Sequence, residues 1–281
     1  RYQFKADKYG NIWISTYGNG LFRYNIEKDE LKHFNDNRFL EEMGTNYLLS
    51  ILADRNDHIW IGTENMGVNK ISISSRHVQQ ILTDPDNRSI NGNIVRSMLE
   101  DRKGNIWVGT KAGNLYKYNS TLENRTTVLE KNYKVYSIYE DNHGTIWLGT
   151  RGNGILELPD GRTDKMINYK QSDSTGSLSD NNVFDLIKDR KGRIWAATFG
   201  GGISVKTNAE GTEGFRTFFD EDEWMRFTRH IMTDSNGDIW VATSYGVRRF
   251  NPDSLLNNRK AYRYYSFDSQ SETSLSTPEV R

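Results

Sequence analysis

Along the chain, short stretches rich in apolar residues alternate with clusters of Asp, Asn, Ser and Gly. "IVRSMLED" (94–101) is apolar on both of its alternating faces, as expected of a strand covered on two sides. The "DRKGN" turn that follows has an Asp able to bond its own backbone and a Gly free to take positive φ, which is hairpin chemistry. "IWVGT" then predicts a second strand, "NLYKYN" (114–119) a third, and "TTVLE" (126–130) a short, more polar outer strand. The same order reads in "VFDLIKD", "IWAAT", "ISVKT" and "FRTFF". A four-stranded sheet of this kind has two apolar faces to cover, and neighbouring copies of itself can cover both.

The hairpin phrase recurs six times, with its tryptophan at Trp13, Trp60, Trp107, Trp147, Trp195 and Trp240, at intervals of 47, 47, 40, 48 and 45 residues. Periods of this length with several strands each are the signature of propeller blades. No repeat shows the sustained i, i+3, i+4, i+7 apolar stripe that a helical array needs. The expected fold is therefore all-β, a β-propeller of about six four-stranded blades. Approximate blades fall at 1–47, 48–94, 95–134, 135–182, 183–227 and 228–281. The repeated Trp supplies a flat apolar surface for blade-to-blade packing. The first residues already read as an inner strand, and "TSLSTPEVR" (273–281) repeats the lead-in to another, as a piece of a longer array would.

Net charge is zero, from 37 basic and 37 acidic residues, so no whole-chain field favours nucleic acid, and none is expected as a partner. The absence of cysteine removes disulfides, thiolate metal sites and cysteine nucleophiles together. No apolar run approaches the roughly 20 residues of a membrane-spanning helix.

"SINGNIVRSMLEDRKGNIWVGT" (89–110) and "SLSDNNVFDLIKDRKGRIWAAT" (177–198) resemble the two-component regulator propeller repeat. The lead-ins "TDPDNRSINGN" (83–93) and "KQSDSTGSLSDNN" (170–182) and the third strands "GNGLFRYN" and "GNGILEL" are similar to that family's own. The resemblance covers essentially the whole chain. It implies the periplasmic sensor region of a hybrid two-component system from Bacteroidetes, with a glycan breakdown product as ligand. It also implies further blades and histidine-kinase modules in the same protein, a homodimeric sensor, and kinase activity outside these residues. Three departures stand out: Asp57 and His58 replace the usual Gly and Asn of a turn and are expected to weaken that hairpin, "KAGN" (111–114) reads as a shortened loop, and "VATSYGV" lacks the Gly pair.

In this strand order, the outer-to-inner loops and the second-to-third-strand loops share one face, the usual binding face of a propeller. "NDNRFLEEMGTNY" (35–47) and "DEDEWMRFTRH" (220–230) are the irregular segments expected there. The second contains Arg226 and Trp224, the one Trp outside the repeat phrase; it suits stacking on a pyranose, or covering the end of a blade. Arg96 and Arg229 stand five residues before the turn Asp, in a column otherwise filled by Tyr2, Leu49, Tyr136 and Phe184. They could hold an acidic sugar group bidentately, or bond within the fold. The residue after each repeat Thr varies freely: Tyr17, Glu64, Lys111, Arg151, Phe199 and Ser244. Of these, Tyr17, Lys111, Arg151 and Phe199 join the candidate ligand-binding set.

No catalytic residue, metal site or cofactor is expected. The five histidines share no metal-ligand spacing, and His58 and His143 sit in turns expected to be solvated. "DSNGD" (234–238) lacks the bidentate Glu of a calcium loop and reads as a turn. The leading expectation is a non-enzymatic sensor of oligosaccharides. A propeller lyase or glycoside hydrolase and a structural spacer are the alternatives.

Overall fold

The computed structural model describes residues 2–73, 77–84, 90–119, 124–207, 214–223, 226–271, 274–275, 277 and 279–280. The fold is a β-propeller built from six four-stranded antiparallel blades, each a meander in which sequence neighbours pair. The chain divides into two compact units, Arg1–Val135 and Tyr136–Arg281.

The first unit holds three blades. These are β1 (Tyr2–Ala6), β2 (Asn11–Thr16), β3 (Leu21–Asn25) and β4 (Glu30–Phe34); then, after a short helix α1 (Asn37–Met43), β5 (Leu48–Ala53), β6 (His58–Thr63), β7 (Val68–Ser72) and β8 (Val78–Ile81); then β9 (Val95–Glu100), β10 (Ile106–Thr110), β11 (Leu115–Tyr118) and β12 (Arg125–Leu129). The second unit holds β13 (Val135–Glu140), β14 (Ile146–Thr150), β15 (Ile155–Leu158) and β16 (Ile167–Tyr169); β17 (Val183–Lys188), β18 (Ile194–Thr198), β19 (Gly202–Lys206) and β20 (Phe215–Phe218); and β21 (Thr228–Thr233), β22 (Ile239–Thr243), β23 (Gly246–Phe250) and β24 (Arg263–Tyr265). A helical turn, α2 (Pro252–Asn257), precedes the last strand and is capped by Asn251.

Four of the repeat tryptophans pack on the following blade of their own unit. Trp13 joins Leu48, Ile59, Ile61 and Ile71, and Trp60 joins Val95, Ile106 and Val108. In the second unit Trp147 meets Val183, Leu186 and Ile194, and Trp195 meets Ile231, Ile239 and Val241. Burying a side chain of this size is worth about a few kcal/mol, so these tryptophans contribute a large apolar contact between blades.

The repeat's polar residues close the hairpins. Asp101 Oδ1 accepts the N–H groups of Lys103 and Asn105, while Oδ2 accepts the Trp107 indole N–H at 2.9 Å. The same Asp–Trp bond forms in every blade, across six residues. The repeat Thr hydroxyl donates to a carbonyl at the far end of the next loop, as Thr63 does to Gly67 at 3.0 Å.

The turn containing Asp57 and His58 is intact. Asp57 takes φ +66°, the left-handed conformation that Gly10, Gly104 and Gly192 take in other blades. His58 is half-buried with Nδ1 2.9 Å from Asp54, where the expectation was solvent. The "KAGN" loop is not shortened. Thr110 bonds Asn114 across four residues, the spacing of four other blades, and the shorter loop is instead the final one, where Thr243 bonds Gly246. The 35–47 segment, read as irregular, contains α1; Asp36 caps it by accepting the Phe39 N–H, and it buries Phe39 and Met43.

Candidate functional site

The outer-to-inner and second-to-third-strand loops do meet on one face within each unit. Asn46 carbonyl accepts the N–H groups of Gly18 and Gly20, and Asn181 carbonyl those of Gly152 and Gly154. Arg226 does the same for Gly200 and Gly202, at 3.1 and 2.9 Å, in the place an Asn holds elsewhere. This backbone frame fixes the residue after each repeat Thr beside the start of an inner strand. Lys111 N–H bonds the Ile94 carbonyl, Phe199 N–H the Asn182 carbonyl, Tyr17 bridges Tyr47 and Arg151 bridges Asn182.

The Arg96/Arg229 column has a structural identity that its spacing did not disclose. In four blades the register slips at the start of the inner strand, so Leu49, Arg96, Phe184 and Arg229 are each the extra residue of a β-bulge. A bulge kinks its strand and re-aims one side chain, a device common beside binding sites.

In the second unit, two bulged residues converge on a predicted one. The Phe199 ring lies 5.2 Å from Phe184, 5.0 Å from Phe227 and 4.7 Å from the Arg229 guanidinium. Tyr136 extends the run beyond Phe184 at 4.7 Å, and the exposed Arg226 stands 5.3 Å from the Phe227 ring. The rings are all half-buried, with faces or edges left to solvent. Arg229 is also held by Glu279 at 3.1 Å, so an incoming anion would compete with a carboxylate already in place. Arg151 is exposed one blade away. Trp224 lies outside the described residues.

In the first unit the predicted residues form a smaller group. Tyr17 Oη donates to Glu64 at 2.6 Å and its ring meets Tyr47 edge-on at 5.0 Å. The bond to Glu64 pushes the Tyr17 phenol above its ordinary value, and the nearby Arg96 guanidinium pulls the other way. Lys111 is exposed, and its backbone N–H bonds the Ile94 carbonyl. Phe227 and Tyr47 were missed in the sequence; their signal is an aromatic just before an inner strand.

Among the described residues no three His, Asp or Glu side chains are placed to hold a metal ion, and no helix is long and apolar enough to cross a membrane. The arrangement offers planar apolar surface with cations at its edge, which suits binding a ring-shaped ligand.

Six such four-stranded blades define the molecule as a β-propeller. The two component regulator propeller family model matches four segments of the chain, residues 42–65, 89–112, 130–152 and 177–200. Its fold is also that of the extracellular domain of the hybrid two component system BT4673 from B. thetaiotaomicron, at 20% identity and TM-score 0.55, over 95% of this chain and 41% of that one. The corresponding domain of BT3049 from the same organism matches at 19% identity and TM-score 0.56, over 95% and 39%. PorZ, a surface component of the type-IX secretion system of Porphyromonas gingivalis, matches at 16% identity and TM-score 0.65, over 85% and 36%. The chain thus spans about two fifths of the length of these structures. No curated protein sequence matches it.

Proposed function

We propose that the chain is a ligand-sensing, non-enzymatic part of an extracytoplasmic receptor of hybrid two-component type, located in the periplasm. Its ligand is an oligosaccharide released from a complex glycan. Further blades and kinase modules of the same protein, working as a homodimer, receive the signal. Four matches to the regulator-propeller repeat and a fold shared with extracellular domains of such systems support this reading. The observation that carries the sugar assignment is the run Phe184–Phe199–Phe227 edged by Arg226 and Arg229. Half-exposed rings pack on the apolar face of a pyranose, and guanidinium groups donate hydrogen bonds to its hydroxyl or carboxylate oxygens.

Ligand bound there biases signalling only through its differential affinity for two arrangements of the receptor. The test is a melting-temperature screen of the chain against neutral and acidic oligosaccharides, with chromatography of each mixture afterwards. A raised melting temperature with the sugar intact supports a sensor. A sugar that is cleaved makes the protein an enzyme, and no shift with any glycan removes the oligosaccharide assignment from these residues.

A further inference from the structure

A second feature lies in the first unit, apart from the Phe199 run. A cleft of about 400 Å³ opens between the outer half of the first blade, helix α1 and the end of β7. That is within the size range of small-ligand sites. One wall is aromatic: Phe34 stacks on Trp13 at 5.3 Å and meets Phe39 at 5.4 Å.

The charges in the cleft are what single it out. Arg23 and Lys32 stand directly opposite each other on β3 and β4. Like charges in that relation destabilise a sheet. Among the described residues neither pairs with a carboxylate; Arg23 contacts the Trp13 ring at 5.8 Å and Lys32 the Phe34 ring at 5.1 Å. The buried Arg23 Nε has no acceptor among the described residues. The acidic groups at the rim are already engaged: Glu42 pairs with Arg38 at 3.0 Å, and Asp36 caps α1.

The corresponding cross-strand pairs elsewhere are not left in this state. Lys70 faces Gln79, Lys117 faces Thr126, and Val205 faces Arg216. Arg249 does face Arg263, but Arg249 is neutralised by Asp238 at 2.9 Å. The unneutralised pair is thus particular to the first blade, where the cleft is.

We infer that this cleft binds a small ring-bearing carboxylate, its anion between Arg23 and Lys32 and its ring against Phe34. The anion relieves the repulsion across the two strands and supplies the acceptor that Arg23 Nε lacks, and the aromatic wall selects a ring over a simple ion. A sugar acid and an aromatic acid share this chemistry. The site is independent of the loop-face reading, because none of its residues belongs to that run.

The test is calorimetric titration of the full chain with sodium galacturonate, sodium benzoate and glucose, each at matched sodium chloride. The expected result is binding of at least one carboxylate and not of glucose, weakened roughly tenfold or more by Arg23→Gln or Lys32→Gln. Which carboxylate binds distinguishes a sugar acid from an aromatic one. The double variant serves as a folding control with its own prediction: its ligand-free melting temperature equals or exceeds that of the parent, since a like-charge pair is gone. Absence of carboxylate binding, equal binding of glucose, or binding unchanged in both single variants overturns the inference. So does a double variant that melts below the parent.

Discussion

The Tyr9 hydroxyl donates to Asp57 Oδ2 at 2.7 Å, joining the turn of one blade to the turn of the next, and Lys8 Nζ reaches the same carboxylate at 2.9 Å. A residue in a Gly position, in a left-handed conformation, has thus been turned into a bridge between blades. Asp57→Ala is expected to destabilise more than Asp57→Gly, by about 1 to 2 kcal/mol, because both lose the bridge but only Ala retains the backbone strain. Urea unfolding of the two variants checks the order.

Asp101 closes its turn and seats Trp107 with one carboxylate that is almost entirely buried. Asp101→Ala leaves an indole N–H and backbone donors without acceptors and is expected to cost about 2 to 4 kcal/mol. Asp101→Asn retains an acceptor and is expected to cost less. The same unfolding measurement separates them.

Acid sensitivity follows from the same groups. Burial alone would raise the Asp101 carboxyl, but hydrogen bonds from Asn105, Trp107 and the backbone outweigh it and hold it below its ordinary value of 3.8. Burial likewise works to raise the Asp141 carboxyl, but the Lys188 ammonium and the turn N–H groups outweigh it and hold it below 3.8. A carboxyl depressed in the folded state contributes stability present above its unfolded value and lost as pH falls through the folded one. Chemical denaturation at stepped pH is therefore expected to show falling stability below about pH 4, with a shallower fall in Asp101→Asn.

His230 behaves in the opposite sense. Its hydrogen bond to Asp185, on the neighbouring inner strand, raises it above the ordinary 6.5, although the ring itself is largely exposed. Its contribution is fully present below pH 6.5 and is lost as pH rises through the higher folded-state value. A titration of the His230 ring by NMR is expected to show a midpoint above 6.5, falling back toward that value in Asp185→Asn.

Much of this fold is legible in the sequence because a repeat states its rules six times. The strands of the third blade, the turn Asp and the packing of Trp on the next blade all follow from the "EDRKGNIWVGT" phrase and its neighbours. What is stated only once is harder to read. Helix α1 is too short for a periodic stripe and depends on Phe39 and Met43 finding a tertiary pocket. The Asp57 bridge joins residues 48 apart and has no local mark.

The candidate site was half legible. Spacing found Phe199 and the Arg96/Arg229 column, because free variation in a fixed frame is visible in one chain. That the column is a row of bulges depends on strand register, and the approach of Phe184 and Phe227 to Phe199 depends on it too. Spacing also could not show that Arg229 already has Glu279 as a partner.

The central claim is that the Phe199 run is the sugar-binding surface. It is tested most directly by calorimetric titration of the chain with the oligosaccharide that raises its melting temperature, comparing the parent with Phe199→Ala and Arg23→Gln. The account predicts that Phe199→Ala weakens binding roughly tenfold or more, while for a neutral oligosaccharide Arg23→Gln, in the peripheral cleft, leaves it unchanged. Undiminished binding in Phe199→Ala would contradict it.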